Sequence, residues 1–312
     1  MANNGGAGGC SVTATWRRWP NRRVRLRRIV WQERNEINVN EINVNDADHI
    51  QCATYARLPV FTRRVERAQA IVAEALATMR HPYLAFSGGV DSTVLLDLVL
   101  AQAPDTPILW GDDGADLPDT LAFLRQVEDE RWVNIQRIRC LGPWRDWCEE
   151  MGRPDLADDP AARAAWGNPP IWHATTTDLK TYAPQAGYDG VFLGLLGTAR
   201  KAGGESRARS LVLRGGARPL YQVAGEGGVW HCSPLASWGK QDVWGYIISR
   251  GLAYNSAYDT LARLGVPLAE RRVAPLTTYR VAHYGMFTYI RAGWPETWNK
   301  LCAIFPSVRQ YS

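Results

Sequence analysis

The stretch LAFSGGVDSTVLL, residues 84–96, sets two adjacent glycines and an Asp-Ser-Thr between two strongly apolar runs. YLAF (residues 83–86) predicts a short buried strand, SGGVDS a turn, and TVLLDLVLA a helix apolar nearly all round, buried on several sides. Gly88 and Gly89 open backbone conformations closed to other residues and let a ligand approach the main chain. Successive N–H groups around Val90, with a helix N-terminus behind them, then form an anion cradle. Ser87, Ser92 and Thr93 add hydroxyl donors. Asp91 is the odd member, because a carboxylate repels a polyphosphate; it makes sense if it holds Mg²⁺ that bridges to the phosphates. A plain tight turn with Asp91 as a cap explains one glycine and the aspartate, but not the second glycine and three hydroxyls. Neither G-x-x-x-x-G-K-[ST] nor G-x-G-x-x-G occurs in the chain.

Outward from the loop, strands and helices alternate. Val65, Ala68, Val72, Leu76 and Met79 recur at three- and four-residue steps and predict an amphipathic helix over residues 63–80. PILWG (107–111) predicts a second strand, and a helix follows from near Asp116, with Pro118 and Asp119 completing a capping signature. WVNIQRIR (132–139) predicts a third strand, and residues 142–170 an insertion near the site. GVFLGLL (190–196) has the continuous apolar run of a central parallel strand, and KQDVWGYIISRG a helix closed by Gly251. The pattern implies an α/β fold with a mainly parallel sheet and helices on both faces. Three regions are expected: a basic, poorly ordered extension over 1–60, an α/β domain carrying the phosphate loop over 61–260, and a C-terminal helical segment over 261–312 packed on the core.

The 312 residues are 46% hydrophobic and 21% charged, near the globular average. No run approaches the roughly 20 apolar residues of a membrane span, and MANNGGAGGC lacks the basic-then-apolar order of a signal peptide. A cytoplasmic protein with no membrane partner is expected. The six cysteines, Cys10, Cys52, Cys140, Cys148, Cys232 and Cys302, form no C-x-x-C pair, so neither a disulfide framework nor a metal–sulfur site is expected. The net charge of +5 is uneven: Arg17, Arg18, Arg22, Arg23, Arg25, Arg27 and Arg28 interleave with Trp16 and Trp19. Two readings stand, a nucleic-acid arm using phosphate contacts and stacking, and a leader without function. EINVN occurs twice over residues 36–45, a local duplication.

SGGVDS resembles the PP-loop, SGGxDS, of the adenine nucleotide alpha-hydrolase (ATP pyrophosphatase) superfamily. Three further stretches are similar to one branch, the phosphoadenosine phosphosulfate (PAPS) reductase family. They are GDDGADLPDT (111–120), GESRAR (204–209) and SPLASWGKQDVWGYI…GLAYNSAYD (233–259). The resemblance implies a Rossmann-like three-layer sandwich with the PP-loop after the first strand, binding ATP or PAPS with Mg²⁺. It implies that Arg200, Lys201, Arg207 and Arg209 face the phosphates opposite the cradle, with Arg207 and Arg209 joining Asp91 in catalysis. Ser206 lies among them, and Glu205 orients an arginine or holds a metal. Asp112 and Asp113, at the end of the second strand, are metal candidates or simply turn-forming residues. Trp238, Asp242 and Trp244 read as architectural, and His173 is the best-placed histidine for acid–base work.

Two chemistries are implied. In one, an acceptor oxygen attacks the α-phosphorus of ATP and releases pyrophosphate. In the other, a cysteine thiolate attacks the sulfur of a phosphosulfate. Reductases of the family carry their nucleophile in an E-C-G motif, whereas Cys302 here stands in NKLCAIF, the pattern of a buried helix. The leading expectation is therefore ATP cleavage feeding a sulfur-transfer or modification step on an unknown acceptor. The alternatives are a PAPS reductase using Cys302 and a non-catalytic nucleotide-binding module tethered to DNA by the Arg17–Arg28 arm.

Overall fold

Tyr83 and Leu84, the middle of strand β1 (Pro82–Ala85), are both buried although their side chains point to opposite faces. A strand covered on both faces belongs at the centre of a parallel sheet. In the computed structural model, which describes residues 44–112, 116–140, 148–149, 152–159, 161–162, 178–197, 218–222, 228–273 and 286–311, that is where β1 lies. The other strands are β2 (Ile108–Asp112), β3 (Ile135–Arg139), β4 (Gly190–Phe192), β5 (Leu220–Gln222) and β6 (Trp230–Cys232), in the order β3-β2-β1-β4-β6-β5. All neighbours are parallel except β5, which pairs antiparallel with β6. The chain builds outward from β1 to β3 on one side, then returns to place β4 on the other. Such a reversal opens a crevice beyond the carboxyl ends of the two central strands.

Period-two alternation distributes the sheet between two apolar clusters. Leu84, Ile108, Trp110 and Phe192 join the larger one with helices α2 (Pro59–Thr78), α3 (Val90–Leu100), α4 (Pro118–Arg131) and α6 (Lys240–Arg250). Tyr83, Leu109, Ile138 and Val191 face the smaller one, under α5 (Leu179–Gln185). The result is the three-layer α/β sandwich expected. α3 is buried nearly all round: Val94, Leu95 and Val99 are inaccessible to solvent. α6 stops at Gly251 in the left-handed region (φ 59°), as its sequence predicts.

Other expectations shift. α4 starts at Pro118 with Leu117 as N-cap and no side-chain cap, so the Asp116–Asp119 signature does not operate as one. α4 ends on Trp132 in the left-handed region (φ 56°), which delays β3 to Ile135. The helix α1 (Val44–Tyr55) falls inside residues assigned to the extension, yet the unit it belongs to runs from Ile42 to Ser312. Helices α7 (Ala257–Arg263), α8 (Met286–Gly293) and α9 (Pro295–Ile304) follow α6. Phe287, Ile290, Leu301 and Phe305 bury them in the main core. The Arg17–Arg28 stretch lies outside the described residues. Among the described residues, no helix is long and apolar enough to cross a membrane.

Burial leaves a titration signature. It pushes the Cys232 thiol from an ordinary 9.0 up to about 12. Burial and then the Asp48 carboxylate raise Cys52 to about 11. Burial and then a hydrogen bond to Asp242 raise Tyr55 to about 12. All three fold in the neutral form, so their stabilisation is complete below pH 9 and is lost as the unfolded chain releases protons that the folded chain retains. The urea midpoint is expected to be flat from pH 7 to about 8.5 and to fall steadily by about pH 10.5; a midpoint unchanged at that pH would contradict the burial of these groups.

Candidate functional site

The chain leaves β1 at Phe86 and turns through Ser87, Gly88 and Gly89 into α3, at the carboxyl end of the sheet. Gly88 adopts φ 69°, and a Cβ there would stand 3.0 Å from Thr120 Cγ2 on α4. Glycine is required for both reasons. Val90, predicted to lie in the turn, is already the first residue of α3, so Asp91 and Ser92 lie in the first turn of the helix. Of the first-turn N–H groups, that of Val90 is taken by Tyr258 OH, and those of Asp91 and Ser92 have no partner within the helix, as an anion site needs.

The hydroxyls expected as phosphate donors mostly shape the loop. Ser92 Oγ and Thr93 Oγ1 donate to the Gly89 carbonyl at 2.8 and 3.0 Å. Ser87 N–H donates to Ser92 Oγ at 3.3 Å, closing the turn. Ser87 itself is exposed and its hydroxyl lies 3.2 Å from Ser92 Oγ, which leaves it the hydroxyl best placed for a ligand.

Three residues that sequence reasoning did not assign hold the loop from outside. Asn255 Nδ2 donates to the Gly88 carbonyl (3.3 Å) and to Thr120 Oγ1 (2.9 Å), while its Oδ1 accepts from Ala257 N–H (3.0 Å). Tyr258 OH accepts from Val90 N–H at 3.2 Å. Burial, reinforced by the Asp91 carboxylate, raises this phenol's pKa and keeps it protonated. Lys240 Nζ, on the first residue of α6, pairs with both Asp91 oxygens at 2.9 and 3.1 Å. All three come from the 233–259 block quoted above, whose pattern marked them without showing what they touch. Gly194, just after β4, lies so close to the start of α3 that a Cβ would stand 3.0 Å from Ser92 N.

Asp112 is fully buried at the end of β2, where β3 supplies it with two arginines. Arg137 Nε and Arg139 Nη1 both bond Asp112 Oδ2, the latter at 2.6 Å. Burial lowers the Arg139 pKa; Asp112 opposes that shift and Arg137 adds to it. The two described carboxylates of the expected Mg²⁺ set, Asp91 and Asp112, are thus each paired with cationic side chains. Asp91 is held by an ammonium, Asp112 by two guanidiniums, and Asp113 lies outside the described residues. Among the described residues no three carboxylate, histidine or cysteine groups converge to hold a metal.

Trp238, Asp242 and Trp244 are buried and architectural, as read. Asp242 accepts from Gly239 N–H (2.8 Å) at the start of α6 and from Tyr55 OH and Arg64, which ties α1 and α2 to that helix. Asp119 accepts from Ser256 Oγ and Trp294 Nε1, both at 2.7 Å, and so joins α4 to the C-terminal helices. Cys302 lies buried in α9, and the other four described cysteines are buried and form no disulfide among the described residues. Arg200, Lys201, Glu205, Ser206, Arg207, Arg209 and His173 lie outside the described residues.

A mainly parallel sheet, a diglycine turn with Gly88 in the left-handed region at its switch point and a helix N-terminus behind it define an α/β domain with an anion-cradle loop. Residues 81–150 match the family model described as "Phosphoadenosine phosphosulfate reductase domain". The phosphoadenosine 5'-phosphosulfate reductase of Yersinia pseudotuberculosis is 25% identical over 179 residues, 56% of this chain and 64% of that protein. The chain thus spans under two thirds of that relative's length. The enzyme of the same description from Yersinia enterocolitica is 24% identical over 241 residues, 72% of this chain and 84% of that protein. Among solved structures, the phosphoadenylyl-sulfate reductase of Candida auris in a phosphate complex aligns with a TM-score of 0.45 and 15% identity, covering 76% of this chain and 98% of that one. The likeness to the PAPS reductase family, read first from the motifs, holds.

Proposed function

We propose that this protein binds an adenine nucleotide at residues 87–93 and cleaves ATP between its α- and β-phosphates, transferring AMP to an acceptor. An acceptor oxygen attacks the α-phosphorus. The bond from the α-phosphorus to the bridging oxygen breaks, and its electron pair leaves with pyrophosphate. The first-turn amides of α3 and the Ser87 hydroxyl support the leaving pyrophosphate, where developing charge gains most from fixed donors. Arg200, Arg207 and Arg209 take the opposite side of the phosphates in this reading, and Arg17–Arg28 supports a nucleic acid as acceptor through charge and interleaved aromatics.

The observation that carries the choice of reaction is the burial of Cys302. A thiolate that attacks sulfur must be accessible and activated. Cys302 is 4% exposed, packed with Leu301 and Trp298 in the core. The second reading, reduction of a phosphosulfate through Cys302, is favoured by the description its relatives carry.

MgATP, incubated with the protein with and without cell extract to supply the acceptor, is expected to yield pyrophosphate, with AMP following only when a sulfur or other nucleophile from the extract displaces it from the adenylated acceptor. Release should survive Cys302→Ser and disappear in Gly88→Ala. Sulfite formed from PAPS and abolished by Cys302→Ser, with no pyrophosphate from ATP, would install the reductase reading instead.

A further inference from the structure

Asp91 poses an electrostatic problem that its surroundings answer. A carboxylate in the first turn of α3 lies where the helix dipole favours negative charge, and there it competes with the phosphates for the same positive end. A metal bridging carboxylate and phosphate would resolve the conflict, but both Asp91 oxygens already face a cation of the protein's own. Lys240 meets it instead. Both Asp91 oxygens lie within 3.1 Å of its ammonium, and the two side chains are only 21% and 16% exposed. Lys240 also occupies the first residue of α6, where the helix dipole disfavours a cation. Its position is thus explained by Asp91 rather than by its own helix.

We propose that Lys240 stands in for a divalent cation at Asp91: the ammonium neutralises the loop's carboxylate, so the cradle accepts a nucleotide's phosphates with no metal bound to the protein. The proposal rests on the nucleotide reading of the loop and adds a residue and a metal requirement to it. Lys240 is a positioning residue here, acting on the phosphates through Asp91.

The test is ATP binding by titration calorimetry, in EDTA and in Mg²⁺, for the wild type, Lys240→Met and the double variant Asp91→Asn/Lys240→Met, each checked by thermal melt. The wild type is expected to bind in EDTA within about threefold of its affinity in Mg²⁺. Lys240→Met should lose on the order of tenfold in EDTA, the effect of one uncompensated, partly buried charge near the ligand, and recover part of it in Mg²⁺. The double variant, with both charges removed, should regain most of the wild-type affinity in EDTA. Wild-type binding that requires Mg²⁺ would overturn the proposal without using any variant. So would Lys240→Met binding as the wild type does, or a double variant as weak as the single one, since Lys240 would then touch the phosphates directly. A wild type that binds neither ATP nor pyrophosphate in either condition would overturn the nucleotide reading itself, and the proposal with it.

Discussion

Gly197→Ala is expected to yield no stably folded protein. A Cβ at Gly197 would stand 2.0 Å from the carbonyl oxygen of Ala236, a backbone atom with no side-chain freedom to yield. That oxygen also accepts the Gly197 N–H at 2.9 Å, so moving apart breaks the bond that joins the chain after β4 to the chain after β6. Overpacking usually costs about 1–3 kcal/mol where side chains can repack. Here a backbone hydrogen bond at the crevice is lost as well, and a loss above about 4 kcal/mol is expected. Gly190→Ala is the informative contrast. Its Cβ would meet Met79 Sδ at 2.1 Å, but a thioether at the end of a flexible side chain can move. Circular dichroism and thermal melts should rank Gly190→Ala clearly above Gly197→Ala. Equal stability of the two would mean that the exits of β4 and β6 are not held as described.

The second large effect falls on binding rather than on folding. Gly88→Ala is expected to weaken ATP binding more than 100-fold while costing the fold only about 1–2 kcal/mol, the strain of a left-handed alanine. At φ 69°, with Thr120 Cγ2 3.0 Å from the new methyl group, the variant can relax only by rotating the peptides on either side of residue 88. Rotation turns the loop amides away from the crevice and strips Asn255 of its acceptor. Calorimetry with ATP, paired with a urea melt, separates the two quantities. Wild-type affinity in Gly88→Ala would remove residues 87–93 from the site.

How much of this was legible in the sequence depended on how local the physics was. β1, the loop and α3 could be read because an apolar strand, a diglycine and an apolar helix adjoin in thirteen residues, 84–96. β5 and β6 were not read: each is three residues long, and WHC sets a histidine between its apolar neighbours, leaving no period to detect. α1, in VNDADHIQCATY, is polar enough to pass for linker, and it is packing on α6, not its own pattern, that gives it a place. At the site, Asp91 in the glycine loop and Asp112 at a strand end stood out as acids, which invited a metal. Their partners could not be seen. Arg139 reaches Asp112 because β2 and β3 pair in a register that sets those two residues side by side. Asn255 and Tyr258 reach the loop across 167 and 168 residues of chain, a distance no local pattern encodes.

Those separations decide when the cradle can exist. The loop is made before Lys240, Asn255 and Tyr258, which emerge only after the strands β1 to β6. Contacts this distant in sequence are slow to form, because the closure of a long loop must precede any stabilisation from it. Until then the Gly88 carbonyl lacks its hydrogen bond from Asn255. A nascent chain exposing residues 81–150 therefore carries the recognisable motif without the cradle. On the nucleotide reading, competence for phosphate is acquired only after residues 240–258 have been made.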